Sequence, residues 1–179
     1  MMFRHLRLAG FKSFADTAEL DIEPGLTGIV GPNGCGKSNI VEALRWVMGE
    51  TSAKQMRSNE MDDVIFSGTS SKAARNLAEI SLILDNEQKK APSEYNDRDE
   101  IEIARKIIRG KGTNYRINNR PARARDVQLL FADSATGARS AGIVSQGRVG
   151  AIIGAKPDER RTLLEEAASI KGLHQRKHE

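Results

Sequence analysis

Gly31-Pro32-Asn33-Gly34-Cys35-Gly36-Lys37-Ser38 fills every position of the phosphate-binding pattern G-x-x-x-x-G-K-[ST]. The glycines let the backbone curl so that successive N–H groups point inward at phosphate oxygens. In this register Lys37 reaches the β- and γ-phosphates, and the Ser38 hydroxyl ligates Mg²⁺. The expected ligand is therefore a nucleoside triphosphate, ATP in the first instance, with its magnesium ion. Cys35 reads as a small residue filling the loop, since no histidine lies nearby in sequence to activate its thiol.

A phosphate loop needs a strand before it and a helix after it. Residues 26–30 (Leu-Thr-Gly-Ile-Val) form a short, apolar, β-branched run after Pro24-Gly25, the pattern of a buried strand. Downstream, Ile40, Val41, Leu44, Val47 and Met48 share one helical face, and Gly49 stands where a helix stops. The helix N-terminus then adds positive potential under the phosphates. Residues 3–8, 18–22, 78–84, 101–108 and 114–117 read as further strands, and Asn118-Asn119 as a tight turn. Residues 123–131 are helical in pattern, and 86–100 read as an acidic, exposed loop. Pro157, Asp158 and Glu159 open a last helix with Leu163, Leu164, Ala167, Ala168 and Ile170 as its apolar stripe. Residues 171–179 are increasingly charged with no stop signal beyond Gly172, the expectation for a helix that continues.

The 179 residues fit one domain that buries about 70% of its unfolded surface. Charged residues are 29% and aromatics 4%, and 28 basic against 24 acidic side chains leave a net charge of +4. That balance does not by itself indicate nucleic acid. No apolar stretch has the length of a membrane span and the start lacks a secretory h-region, so a cytoplasmic protein is expected. A single cysteine excludes an internal disulfide, and His5, His174 and His178 show no metal-ligand spacing. Trp46 is expected to pack in the core.

Two features are ambiguous on the sequence. Residues 80–85 resemble an apolar strand ending in a metal-binding aspartate, yet Ser81 interrupts the run and a polar loop follows, so Asp85 reads as a structural strand end. Between Arg105 and Arg125 lie Arg105, Lys106, Arg109, Lys111, Arg116, Arg120, Arg123 and Arg125 with no acidic residue. A solvated strand face and a contact for a phosphate backbone both fit this run, with Arg120, Arg123 and Arg125 as its candidate DNA contacts.

Several motifs occur together in order: Phe11-Lys12-Ser13-Phe14, the phosphate loop with Asn39, Met61-Asp62-Asp63-Val64-Ile65-Phe66-Ser67-Gly68, Val144-Ser145-Gln146-Gly147, Lys156-Pro157-Asp158-Glu159-Arg160-Arg161, and Glu165-Glu166-Ala167-Ala168. As a set they resemble the N-terminal half of the ATPase head of bacterial SMC (structural maintenance of chromosomes) chromosome-segregation proteins. The resemblance implies an α/β P-loop NTPase of the ABC-ATPase-like type, with a mixed β-sheet, flanking helices and a head split between the two ends of a long chain. Residues 1–170 would be the N-terminal lobe, and 171–179 the start of a coiled-coil helix. The resemblance further implies that Gln146 joins the Mg²⁺ shell and orients the attacking water, and that Arg57 approaches the nucleotide. Asn39 adds an α-phosphate contact, while Lys12, Ser13, Met61 and Asp62 are candidates for the nucleoside end. Implied partners are DNA, a second SMC chain through hinge and heads, the C-terminal half of the same head, and kleisin-type accessory proteins; no membrane is implied. Asp85 receives no role.

The general base and the signature motif of such ATPases are absent from these residues, and no L-S-G-G occurs. ATP binding without appreciable hydrolysis is the expectation for this segment alone. A small-molecule kinase would need an acceptor site and an arginine-bearing lid, and neither can be placed. A DNA-binding module with a vestigial loop sits badly with a complete phosphate-binding motif.

Overall fold

The computed structural model describes residues 1–53, 56, 57, 60–132, 153–158, 160 and 161. Its frame is a six-stranded sheet built from β1 (Met2–Ala9), β2 (Ala18–Asp21), β3 (Leu77–Asp85), β4 (Glu100–Ile108), β5 (Gly112–Ile117) and β6 (Arg120–Ala122). The spatial order is β2-β1-β3-β4-β5-β6. Every ladder among the described residues is antiparallel. The parallel pairing that an ABC-type mixed sheet needs is not among them.

Strict alternation decides which side of this sheet is the core. On β3, Ala78, Ile80, Leu82 and Leu84 are buried, and on β4 Ile101, Ile103 and Ile107 lie on the same face. Ser81 therefore does not interrupt the strand; it belongs to the opposite face. Asp85 ends β3, its Oδ1 accepting the Glu87 N–H at 2.8 Å, as expected of a structural strand end. Asn118 and Asn119, with φ of 49° and 65°, form the two-residue turn between β5 and β6. Left-handed φ at both positions is the type I′ requirement.

Two helices cover the apolar face, α1 (Lys37–Val47) and α2 (Ala124–Ala132). The Arg123 N–H donates to Asp126 at 2.8 Å, closing the N-terminus of α2. The buried face of α1 differs from the expected one: Ala43 and Trp46 are fully buried, while Val41 and Leu44 are only half-buried. Ile40, Val47 and Met48 are buried as expected, and Arg105 of β4 stands at the end of this helix. Its guanidinium stacks between the Trp46 and Tyr115 rings, 4.3 and 4.6 Å from their centroids. Its Nη1 donates to the carbonyls of Trp46 and Glu50 at 2.7 and 2.6 Å. These carbonyls lie at the end of α1, where backbone acceptors lack helical partners and the helix dipole is negative. A cation at that end is favourable, and Trp46 packs against it, fully buried. Gly49, at φ 102°, turns the chain away, and Gln128 of α2 donates to its carbonyl at 2.7 Å.

Three expectations are corrected. Residues 26–30 do not form a strand: Leu26 is 100% exposed, Val30 93% and Ile29 45%. A strand exists only where a neighbour takes up its N–H and C=O groups, and no described segment pairs with this one. The 86–100 loop is less exposed than its charge suggests, because Asn86 and Ala91 are buried. The Asn86 amide accepts the Ala91 N–H at 3.0 Å and donates to the Arg98 carbonyl at 2.9 Å, so one buried side chain organises the loop. Arg105, 1% exposed, leaves the basic run. Of the last expected helix, Pro157, Asp158, Arg160 and Arg161 are helical; residues 162–179 lie outside the described residues.

Candidate nucleotide-binding site

The phosphate loop closes on itself through its lysine. The Lys37 ammonium donates to the carbonyls of Gly31 and Pro32, each at 2.6 Å, and lies 3.6 Å from Cys35 Sγ. An ammonium has three donors and all three are spent within the loop, the weak one to the Cys35 sulfur being the one a phosphate oxygen could replace. Gly34 and Gly36 have φ of 84° and 101°, the left-handed region that lets consecutive amides turn inward. A Cβ on Gly36 would stand 2.6 Å from Ser13 Oγ, so glycine is also needed for the loop to sit against the 13–14 turn. Gly36 is the N-terminal cap of α1 and no side chain caps it, so first-turn amides are left to an anion. Ser38 is exposed at that first turn. The left-handed glycines, uncapped helix and exposed hydroxyl fit a triphosphate with Mg²⁺.

Beside the loop lies an open pocket of about 360 Å³ lined by Lys12, Ser13, Asn39, Arg57, Asp63, Ile65 and Ser67. Four sequence candidates from three separate segments meet there. Asn39 Nδ2 donates to Ser13 Oγ at 2.9 Å, joining the start of α1 to the turn after β1. Lys12 and Arg57 are left-handed residues, φ 46° and 51°, and both bond the carboxylate of Glu42. Lys12 also donates to the Met56 carbonyl. Glu42 is 5% exposed and stands one helical turn beyond Ser38. The sequence reading did not single it out. The available signal was an acidic residue at i+4 from Ser38, on a helix otherwise read for its apolar stripe.

Met61 and Asp62 lie on a 3-10 turn, Met61–Val64, and make other contacts. Trp46 Nε1 donates to the Met61 sulfur at 3.4 Å, and the Gly110 N–H donates to Asp62 Oδ2 at 2.9 Å. Asp62 thus fastens the β4–β5 turn to the segment that follows Arg57. Gln146 lies outside the described residues. Arg120, Arg123 and Arg125 are all exposed, on the edge strand β6 and the start of α2. Among the described residues no cluster of His, Cys, Asp and Glu could hold a metal, and no helix is long and apolar enough to cross a membrane.

Residues 2–139 match the RecF/RecN/SMC N terminal domain family. Over all 179 residues the chain is 59% identical to the chromosome partition protein Smc of Rhodopseudomonas palustris, covering 16% of that protein. The chain thus spans about one sixth of the length of the curated relatives it matches. Among solved structures it is similar to an SMC ATPase studied for ATP-driven dimerisation and DNA-stimulated activation. The TM-score is 0.84 at 32% identity, over 93% of this chain and 99% of that one. It is also similar to the Pyrococcus furiosus Smc head with an extended coiled coil bound to the C-terminal domain of ScpA. There the TM-score is 0.87 at 31% identity, over 99% of this chain and 44% of that one. A phosphate loop braced by Lys37 at the start of α1, on a sheet shared with these heads, makes the chain a member of the RecF/RecN/SMC N-terminal domain family, with the α/β fold of an SMC-type ATPase head.

Proposed function

We propose that this chain is the ATP- and Mg²⁺-binding part of an SMC head that drives DNA binding, chromosome condensation and segregation in the full-length dimer. The observation that carries the reading is the loop itself: Lys37 bridging two loop carbonyls beside an uncapped helix start and an exposed Ser38. In this reading residues 31–38 cradle the phosphates, Ser38 and Gln146 serve the metal, and Arg57 faces the nucleotide with Asn39, Lys12 and Ser13. Met61 and Asp62 remain nucleoside-side candidates that act from behind the pocket wall. The general base and signature motif come from the C-terminal half of the head and from a second head. The exposed apolar run at 26–30 supports the first of these partners, since its backbone groups suit an added strand. A kleisin-type protein, as ScpA is for the Pyrococcus furiosus head, is the proposed accessory partner.

Cys35 provides the test, because its thiol is exposed inside the loop and beside Lys37. In the full-length protein, MgATP is expected to slow alkylation of Cys35 by about tenfold at ten times its dissociation constant. Peptide mapping reads the modified site. Equal alkylation rates with and without saturating MgATP would remove the nucleotide from this loop.

For DNA, three exposed arginines form the proposed contact, with Arg120 on an open sheet edge and Arg123 and Arg125 beside it. Reversing all three charges is expected to weaken DNA binding and to reduce the slope of log affinity against log salt by about 2 to 3. Titrations at several salt concentrations measure it; an unchanged slope would place the DNA elsewhere.

A further inference from the structure

Arg57 stands on a segment with little regular structure, with its side chain 56% exposed. A long cation so placed samples many rotamers, and holding it ready for a phosphate costs conformational entropy. Something has to aim it. The residue in contact with it is Glu42, whose two carboxylate oxygens are divided between two cations. Oε2 takes the Lys12 ammonium, and Oε1 takes the Arg57 guanidinium.

These two cations are held very differently. The Lys12 side chain is 13% exposed and has a second acceptor in the Met56 carbonyl, so it is an anchor. That carbonyl belongs to the residue just before Arg57, so the anchor also fixes the local backbone from which Arg57 departs. Glu42 itself rises from α1, the helix that begins with Lys37 and Ser38. The Arg57 Nε and Nη2 bond one oxygen, and both contacts lie on one edge of the fork. A guanidinium has five N–H donors in a fixed plane, so the opposite edge keeps Nη1 for an anion. Arg57, Lys12 and Asn39 all line the pocket beside the phosphate loop.

We infer that Glu42 is a positioning residue: its buried carboxylate, anchored by Lys12, holds Arg57 by one edge of the guanidinium and presents the other edge to the nucleotide pocket. The inference rests on the reading of Arg57 as a nucleotide-facing residue. Glu42 touches no phosphate in this arrangement and acts only through the arginine. Because the carboxylate rides on the P-loop helix, the arginine keeps its place relative to the phosphates when surrounding segments move.

A double-mutant cycle on ATP turnover by the full-length protein tests this. Glu42→Gln keeps the shape and removes the charge; Arg57→Ala removes the group being aimed. Glu42→Gln is expected to lower kcat by about tenfold or more, while KM moves by less than about threefold. Arg57→Ala alone is expected to do the same, and the double variant to be no slower than Arg57→Ala. If Glu42→Gln slows turnover as strongly in the Arg57→Ala background as in the parent, Glu42 acts apart from Arg57 and the inference fails. An unchanged kcat for Glu42→Gln with a normal Arg57→Ala defect overturns it as well. If instead Arg57→Ala leaves kcat unchanged, the nucleotide-facing role of Arg57 falls and the inference falls with it. Should Glu42→Gln not fold, Glu42→Asp serves in its place. It retains the charge that Lys12 needs and withdraws the dock by one methylene, with the same non-additivity expected.

Discussion

Lys37→Ala in the full-length protein is expected to lower ATP turnover by about 100- to 1000-fold, the range seen when one preorganised donor to a developing charge is removed. The ammonium has two tasks in this loop. On the proposed function it is the cation for the β- and γ-phosphates, and its bonds to the Gly31 and Pro32 carbonyls hold the loop in its curled form. Alanine removes both, so nucleotide affinity is expected to fall along with turnover. Lys37→Arg would keep the charge, but a planar fork does not reproduce an ammonium donating to two loop carbonyls and a phosphate. It is expected to recover little. Steady-state turnover and nucleotide titration measure the two effects separately. On the proposed function, which takes the general base and signature motif from other parts of the assembly, the segment of residues 1–179 alone is expected to show negligible turnover even with Lys37 intact. Robust hydrolysis by the segment, at concentrations too low for association, would overturn the composite-site reading. Full activity of Lys37→Ala would exclude the loop from catalysis altogether.

The second large effect concerns stability. Arg105→Ala is expected to destabilise the fold by about 3 to 5 kcal/mol, measured as a lower midpoint in urea at unchanged slope. Three losses combine. The Trp46 and Glu50 carbonyls at the end of α1 each lose the Arg105 hydrogen bond, the stacked space between Trp46 and Tyr115 becomes a cavity, and both ring contacts vanish. Burial pushes the Arg105 pKa down to about 10, still well above neutrality, so the cation that balances this helix end persists at physiological pH. Arg105→Met refills the space without the donors and is expected to recover part of the loss. Recovery to the parent value would mean that packing alone matters there. Because Arg105 fixes the far end of the helix that carries Lys37 and Ser38, its loss is also expected to loosen the phosphate loop.

Much of the sheet was legible in the sequence because its cause is local. Residues 3–8, 78–84, 101–108 and 114–117 read as strands and became β1, β3, β4 and β5, and Asn118-Asn119 marked a turn whose left-handed requirement asparagine tolerates. The run at 26–30 shows the limit of this logic. It has strand composition, yet the described residues offer it no neighbour, and a strand is a property of pairs. The Arg105 reading failed for a related reason. A run of basic residues looks like one charged surface until alternation turns every second side chain inward, and only the packed partner decides whether a buried cation can be tolerated. Here two aromatic rings and two helix-end carbonyls make it tolerable.

For the site, residues 31–39 carried their own chemistry, since a phosphate loop depends on glycine torsions, one lysine and one hydroxyl close together in the chain. The sequence by itself determined that loop, the position of most strands of the sheet and, through a set of ordered motifs, the family. The tertiary structure alone decided that Lys12, Glu42 and Arg57 meet, that Asp62 holds the β4–β5 turn, and that Arg105 ends the P-loop helix. Each of these is a contact between residues 15 to 59 positions apart. Periodicity and short motifs record only what neighbours in the chain require of each other; which distant charges share a carboxylate is set by how the sheet and helices pack.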